Sequence, residues 1–344
     1  MLALEDWTAS RHAFDAAVYP SLLVARAHDG ERAEAPPVCV AMHRRDRALR
    51  WRVDPARLGL DDDAASPWIP IPPEVRAAFD RLTRAGIALA DSPLGPPMLG
   101  VKCGCNEAFA VEHLADSLSV AQVRSAERGG AVERELLRPL LRGERVTRWR
   151  AAELRERLIW THAADGSPLR ALPPHALHWL GHWRHRLSHR ADANGGPWWQ
   201  LFRTAAARSD RARVVWADVA REPRALILAP GDPTVPLNTC YVLACDDPVD
   251  ARTAAALLNS PLAAAWLGAI AEPARGGYRR FLAWTVALLP TPRDWTRART
   301  LLAPLAERAM DGGTVSSDEL LDAALRAFHV RRAEVEPLLA WICH

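Results

Sequence analysis

Apolar and polar positions alternate along this chain in short blocks punctuated by glycine and proline, and the period of each block predicts its element. Residues 4–16 predict a helix. Pro20–Arg26 and Val38–Met42 predict two strands joined by a polar turn over Asp29–Glu34, with Arg47–Val53 as a third short strand. A hairpin with one helix buries too little to stand alone, so this opening reads as the edge of a larger sheet whose other strands are absent from the chain. Pro67-Trp-Ile-Pro-Ile-Pro-Pro73 is an extended linker that runs into a helix over Glu74–Ala85. Met98–Val111 predicts strand, glycine turn and strand, with Gly100 and Gly104 bracketing the turn and Phe109 and Val111 facing inward.

Further on, a strand at Leu158–Thr161 precedes the turn Asp165-Gly166, and Pro173–Leu187 predicts a helix. Strands follow at Arg213–Asp218, Ala225–Ala229 and Pro236–Ala244. Two alanine-rich helices, Asp250–Leu258 and Pro261–Ala271, meet at Asn259-Ser260, which serves as break and cap. A loop at Gly276-Gly277 leads to Trp284–Leu289. The tail predicts helices at Arg297–Met310, Ser317–Phe328 and Arg331–Ile342. The expected fold is α+β.

Composition narrows this picture. Apolar content of 49% and charged content of 25% over 344 residues are those of a globular protein with room for two domains. No run of 18 apolar residues occurs, and Met1–Trp7 lacks the basic and apolar regions of a signal peptide. Six scattered cysteines do not form a disulfide framework. No membrane contact and a cytoplasmic location are expected.

The net charge of +3 is unevenly spread: Arg138–Arg213 holds fifteen arginines against six acids, a net of +9. Seven of the fourteen tryptophans (149, 160, 179, 183, 198, 199 and 216) fall in or beside that stretch. Two readings are open. Interleaved arginine and aromatic side chains are a footprint for nucleic acid; an arginine-rich composition over a tryptophan core gives the same pattern.

Lys102 is the only lysine, so 43 of the 44 Lys+Arg are arginine. A lysine and an amide (Asn106) beside glycines suit a phosphate or a base edge, while the plainer reading is a tight hairpin with a solvated lysine. His175, His178, His182, His185 and His189 recur at helical spacing, but interspersed arginines and tryptophans describe a basic helix against a polyanion without a metal. Cys103 and Cys105 stand too close for a zinc knuckle. The chain has no phosphate-binding glycine loop, nucleophile elbow or catalytic triad, so no catalytic residue and no metal ligand is assigned.

Gly100-Val-Lys-Cys-Gly-Cys-Asn-Glu-Ala-Phe109, Arg138-Pro-Leu-Leu-Arg-Gly143, Ile159-Trp160, Pro236-Leu-Asn-Thr239, Leu257-Leu-Asn-Ser260, Gly276-Gly-Tyr-Arg-Arg-Phe281 and Leu288-Leu-Pro-Thr-Pro292 follow one another in the chain. In this order, over about residues 70–292, they resemble the TaqI-like C-terminal specificity domain of the adenine-specific DNA methyltransferases of restriction–modification systems. Cys103 stands where that family has threonine. The resemblance implies a domain that recognises double-stranded DNA and helps hold an extruded adenine for a catalytic half. That half is missing: neither Asn-Pro-Pro-Tyr nor a glycine-rich S-adenosylmethionine loop occurs.

The proline linker sets a domain boundary at residue 67, and with the resemblance it divides the chain into residues 1–66 (a remnant of the edge of a methyltransferase sheet), 67–292 (target recognition) and 293–344 (a helical tail). It implies no cofactor here, S-adenosylmethionine on a catalytic partner chain, and no methyl transfer by this chain alone; the alternative is a DNA-binding or interaction remnant. Lys102 and Asn106 are the expected residues near the target, with Arg142, Arg148, Arg150, Arg184, Arg186 and Arg190 on phosphates. Asn238, Arg279 and Arg280 complete the expected DNA-binding set. Gly276–Arg280 is either a backbone-contacting loop or a turn.

Overall fold

The computed structural model describes residues 1–7, 20–26, 36–43, 47–61, 63, 66–193 and 195–342. The fold is α+β, organised around a wall with two apolar faces. The wall is an antiparallel sheet in the order Ala225–Leu228, Ala212–Ala217, Cys240–Cys245, Met98–Leu99. Side chains of a strand alternate between faces, and here both faces are covered. Val214, Trp216, Tyr241 and Leu243 enter one core, whereas Val215, Ala217, Cys240 and Val242 enter the other. That is why these strands read as continuous apolar runs rather than as alternating ones.

The first core is helical. Pro73–Ala85, Pro248–Leu258, Pro261–Ile270, Trp295–Met310 and Ser317–Phe328 contribute to it, and Val335 and Leu338 of Arg332–Ile342 join them. Phe79 stacks on Trp266 with centroids 4.8 Å apart. The expected caps form: Ser260 Oγ accepts from Ala263 N at 3.2 Å, and Ser316 and Glu319 make a reciprocal capping box. The helices of the expected tail share the core of the alanine-rich pair.

The second core lies under a six-stranded sheet, in the order Val235–Pro236, Leu137–Leu141, Glu156–Ile159, Ala110–Ser117, Val120–Arg124, Gly129–Glu133. Trp179, Trp183 and Leu187 fill it from the helical layer above. The tryptophan-core reading therefore holds for Trp160, Trp179, Trp183 and Trp216, all buried.

Three expectations are corrected. Ala3–Asp6 is a strand, hydrogen-bonded on both sides to Ser21–Val24 and Val38–His43, and it buries Leu4; residues 8–16 of the expected helix and the Asp29–Glu34 turn lie outside the described residues. Met98–Val111 is not a hairpin. Its first strand pairs with Tyr241–Val242, residues 106–109 form one helical turn, and Ala110 begins a strand of the other sheet. The helix over 173–187 is two helices, Pro174–Gly181 and Arg184–Ser188, interrupted at Trp183 (φ −98°, ψ 11°). Packing decides the break, because it lets Trp179, Trp183 and Leu187 all reach the core while the five histidines stay outside.

His162, buried behind Trp160, titrates unusually. Burial and the neighbouring Arg138 charge hold its pKa near 4 instead of 6.5, so the imidazole is neutral in the fold. Between those values the unfolded chain binds the extra proton, so His162 weakens the fold as pH falls from about 6.5 toward 4. The melting temperature of a His162→Gln variant is expected to drop less than the wild type's across that window. Parallel pH profiles would exclude this account.

Candidate nucleic-acid interface

Four of the quoted motifs, those at 100–109, 138–143, 236–239 and 276–281, converge because their backbones interlock. Val101 N donates to Pro236 O at 2.8 Å, and Leu237 N donates to Leu141 O at 2.9 Å. Gly143 N donates to Thr239 Oγ1 at 2.9 Å. Asp218 N then donates to Thr239 O, and Phe281 N to Asp218 O, at 2.9 and 2.7 Å. Segments around residues 100, 143, 239 and 280 are thus stitched into one layer.

Two sites follow from that stitching. The first surrounds Lys102. Its ammonium pairs with Asp192 at 2.5 Å, both side chains partly exposed, and its backbone exchanges two hydrogen bonds with Phe202. Asn106 is exposed at the start of the helical turn and its Oδ1 accepts from the Cys103 thiol at 3.0 Å. Burial raises the Cys103 pKa to about 11, so this thiol stays a donor and is not a nucleophile. Asn238 sits one residue beyond the Val101–Leu237 bridge, on the same layer as Lys102.

The arginines of the basic stretch are mostly engaged. Arg142 makes two bonds to Glu156, at 2.6 and 2.9 Å. Arg148 meets Glu222 at 3.2 Å, and Arg150 donates to Met310 O at 3.1 Å. Arg186 lies between Glu107 and Glu127, both at 3.3 Å, and Arg184 sits 5.7 Å from the Trp198 ring centre. Arg280 grips Asp218, at 2.7 Å for its closer bond, and Arg279 donates to Ala271 O at 3.4 Å.

Arg190 does not reach phosphate: it is 8% exposed, donates to Leu187 O, Cys103 O and Trp198 O, and lies against Phe109 and Phe202. Arg213 is likewise buried, donating to Thr234 O and Asp232 O. Much of the +9 of this stretch is therefore internal or neutralised.

The second site is a cleft of about 410 Å³ lined by Gly143, Asp218, Val219, Arg221, Arg224 and Tyr278, among others. The strand Val219–Ala220 pairs with Tyr278–Arg280 to form one wall. Val219 and Tyr278 are exposed, and Arg221 lies over the Tyr278 ring at 5.3 Å. Among the described residues, exposed Arg145 and Arg275 have no ion-pair partner. Arg275 precedes the Gly276-Gly277 turn, with φ of 78° and 79°, that leads into the Tyr278–Arg280 strand. Sequence reading named the Gly276–Arg280 loop but missed Arg221 and the cleft, because Val219 and Tyr278 meet only through strand pairing distant in sequence. Among the described residues no cluster of three metal-ligating side chains occurs, and no single helix is long and apolar enough to cross a membrane.

No family model and no curated protein sequence matches the chain. The type IIL restriction–modification enzyme MmeI, solved in complex with DNA, superposes on 89% of this chain with a TM-score of 0.51 at 10% identity. The chain shares its fold with part of MmeI. It spans only 40% of the MmeI chain. The type IIG restriction endonuclease BpuSI matches 90% of this chain and 40% of its own at 11% identity, with a TM-score of 0.41, too low to carry an argument.

Proposed function

We propose that this chain is the DNA target-recognition part of a restriction–modification system. In the finer form of the proposal it serves a site-specific adenine-N6 methyltransferase in the cytoplasm, with S-adenosylmethionine and the catalytic groups on a partner chain. The observation that carries the reading is the likeness to MmeI over 89% of the chain, the stated partner of that enzyme being DNA. The order of the motifs and the convergence of four of them on one layer support it, as do the exposed Arg221 and Arg224 at the cleft. Lys102, Asn106 and Asn238 are the side chains suited to base edges; Arg145, Arg184, Arg221 and Arg275 are suited to phosphates.

Selection of bound sequences from random duplex DNA, across a salt series, tests this. An enriched motif is expected, with affinity falling steeply as salt rises. An Arg145→Ala/Arg275→Ala double variant should lower the slope of log affinity against log salt by about 2 while leaving the motif intact. Binding without enrichment, with the neighbouring methyltransferase chain present as well as absent, would sink the recognition role and leave a remnant.

A further inference from the structure

A charge taken out of water needs a partner, and the inner arginines of this fold have one, with a single exception. Arg142 holds Glu156, while buried Arg190 and Arg213 donate to backbone carbonyls. Arg138, half-buried on the strand Leu137–Leu141, makes no hydrogen bond and no ion pair among the described residues. Burial alone lowers its pKa, and no carboxylate stands near enough to oppose that shift. Its strand partner is Leu158, and its guanidinium lies over the ring two residues further on, 4.2 Å from the centre of Trp160. That contact satisfies none of the five N–H donors. Arg138 borders a cavity of about 350 Å³ whose walls also carry Trp160, Gly166, Thr204 and Ser209. The Thr204 and Ser209 hydroxyls have no hydrogen-bond partner among the described residues, and neither has the buried Trp160 Nε1. The two other charged residues of the lining are engaged: exposed Asp165 accepts from Ser167 N and Oγ at 2.9 and 2.6 Å, and Arg208 pairs with Asp210 at 2.8 Å.

We propose that this cavity binds a phosphate-class oxyanion, with the Arg138 fork as its principal ligand and the Thr204 and Ser209 hydroxyls as further donors. The site goes beyond the DNA-recognition reading and does not depend on it. A guanidinium fork matches two oxygens of one anion, and the anion supplies the counter-charge that the fold leaves out. Donors on separate walls suit a tetrahedral ion, which presents acceptors in every direction, better than a carboxylate with its two oxygens in one plane. A cation entering the same cavity would meet the uncompensated Arg138 charge. The volume falls within the range of small-ligand clefts and leaves room for a phosphate with part of its hydration or for a phosphomonoester. A free phosphate and a phosphate of a nucleic-acid backbone offer the same oxygens to these donors.

Calorimetric titration of the full chain with inorganic phosphate, at an ionic strength held by chloride, tests this. One saturable site is expected, with acetate binding more weakly. Arg138→Met keeps an apolar stem over Trp160 and removes the charge and its donors, so it should bind phosphate roughly ten-fold more weakly or worse. Its melting temperature without phosphate should not fall, because the substitution removes an unpaired charge rather than a bond. Phosphate should raise the melting temperature of the wild type and not that of the variant. The site is overturned by no saturable binding, by acetate binding as tightly as phosphate, or by binding that survives Arg138→Met. A lower melting temperature of the phosphate-free variant also overturns it, since Arg138 would then be structural. Short duplex DNA separates the two sources. A duplex that displaces phosphate, and binds Arg138→Met more weakly than wild type, makes the anion a backbone phosphate. A duplex that leaves phosphate bound makes it a free phosphate or phosphomonoester. Either result keeps the site, and the selection from random duplex judges DNA recognition separately.

Discussion

Replacing Arg190 with alanine is expected to destabilise the fold by about 3–4 kcal/mol, because it orphans three carbonyls at roughly 1–3 kcal/mol each, with partial relief by water. The three acceptors are Leu187 O at 3.0 Å, Cys103 O at 2.5 Å and Trp198 O at 2.7 Å, and Arg190 is their partner within the described residues. They come from the helix Arg184–Ser188, the glycine turn beside Lys102, and the Trp198–Trp199 segment, so one guanidinium ties three pieces of backbone that no regular element joins. Its planar fork suits that task; the single ammonium of Arg190→Lys should recover only part of the loss. Arg184→Ala, six residues earlier on the exposed side, should change stability by less than about 0.5 kcal/mol. Denaturant titration of the three variants checks this. A cost for Arg190→Ala no larger than for Arg184→Ala would mean that Arg190 is not structural and would return it to the phosphate-contacting set.

Arg190 also shows where sequence was legible and where it was not. Spacing announced the helices Pro73–Ala85, Pro248–Leu258, Pro261–Ile270, Trp295–Met310 and Ser317–Phe328, because each carries its own cap or a proline start and a face at helical period. The wall strands at 212–217, 225–228 and 240–245 were legible as apolar runs. Local pattern could not say that 98–99 pairs with 241–242 while 110–117 joins the other sheet, since that choice is made by pairings more than 140 and more than 40 residues apart in sequence. The N-terminal strand at 3–6 failed for the same reason: its partners are Ser21–Val24 and Val38–His43, and four residues carry no period of their own. Charge was the least legible. In sequence Arg190 and Arg213 are indistinguishable from Arg145 and Arg184, yet the first two are inside and the others outside. Only the pairing of each guanidinium separates structure from surface.

Asn259 and Gly100 extend the point to motifs. The buried Asn259 amide exchanges two hydrogen bonds with the Ala225 backbone, at 2.8 and 2.9 Å, so its place in the pattern is an anchor between helix and wall. Gly100 reads in sequence as room for a ligand, but the close approach is to backbone: a Cβ there would lie 2.1 Å from Leu237 O and 2.6 Å from its carbonyl carbon. Gly100→Ala is therefore expected to cost about 3 kcal/mol or more, at the upper end for overpacking, because neither atom belongs to a side chain that can turn aside. Relief requires the 235–239 segment to move away, which stretches Val101 N to Pro236 O and Gly100 N to Cys240 O, each near 2.9 Å or below. Those bonds hold Lys102 beside Asn238 and, through Thr239, fix Gly143 at the cleft. Hydrogen exchange on Gly100→Ala should show faster exchange at Val101 and Leu237, along with weakened DNA binding even at temperatures where the variant is folded. Gly95→Ala is the contrast, since no atom lies within 4 Å of its Cβ position. Its strain comes only from a φ of 71°, and it should leave DNA binding intact. If Gly100→Ala matched Gly95→Ala in both measurements, the glycine would be free to serve a ligand and the interlocked layer would not be what organises the site.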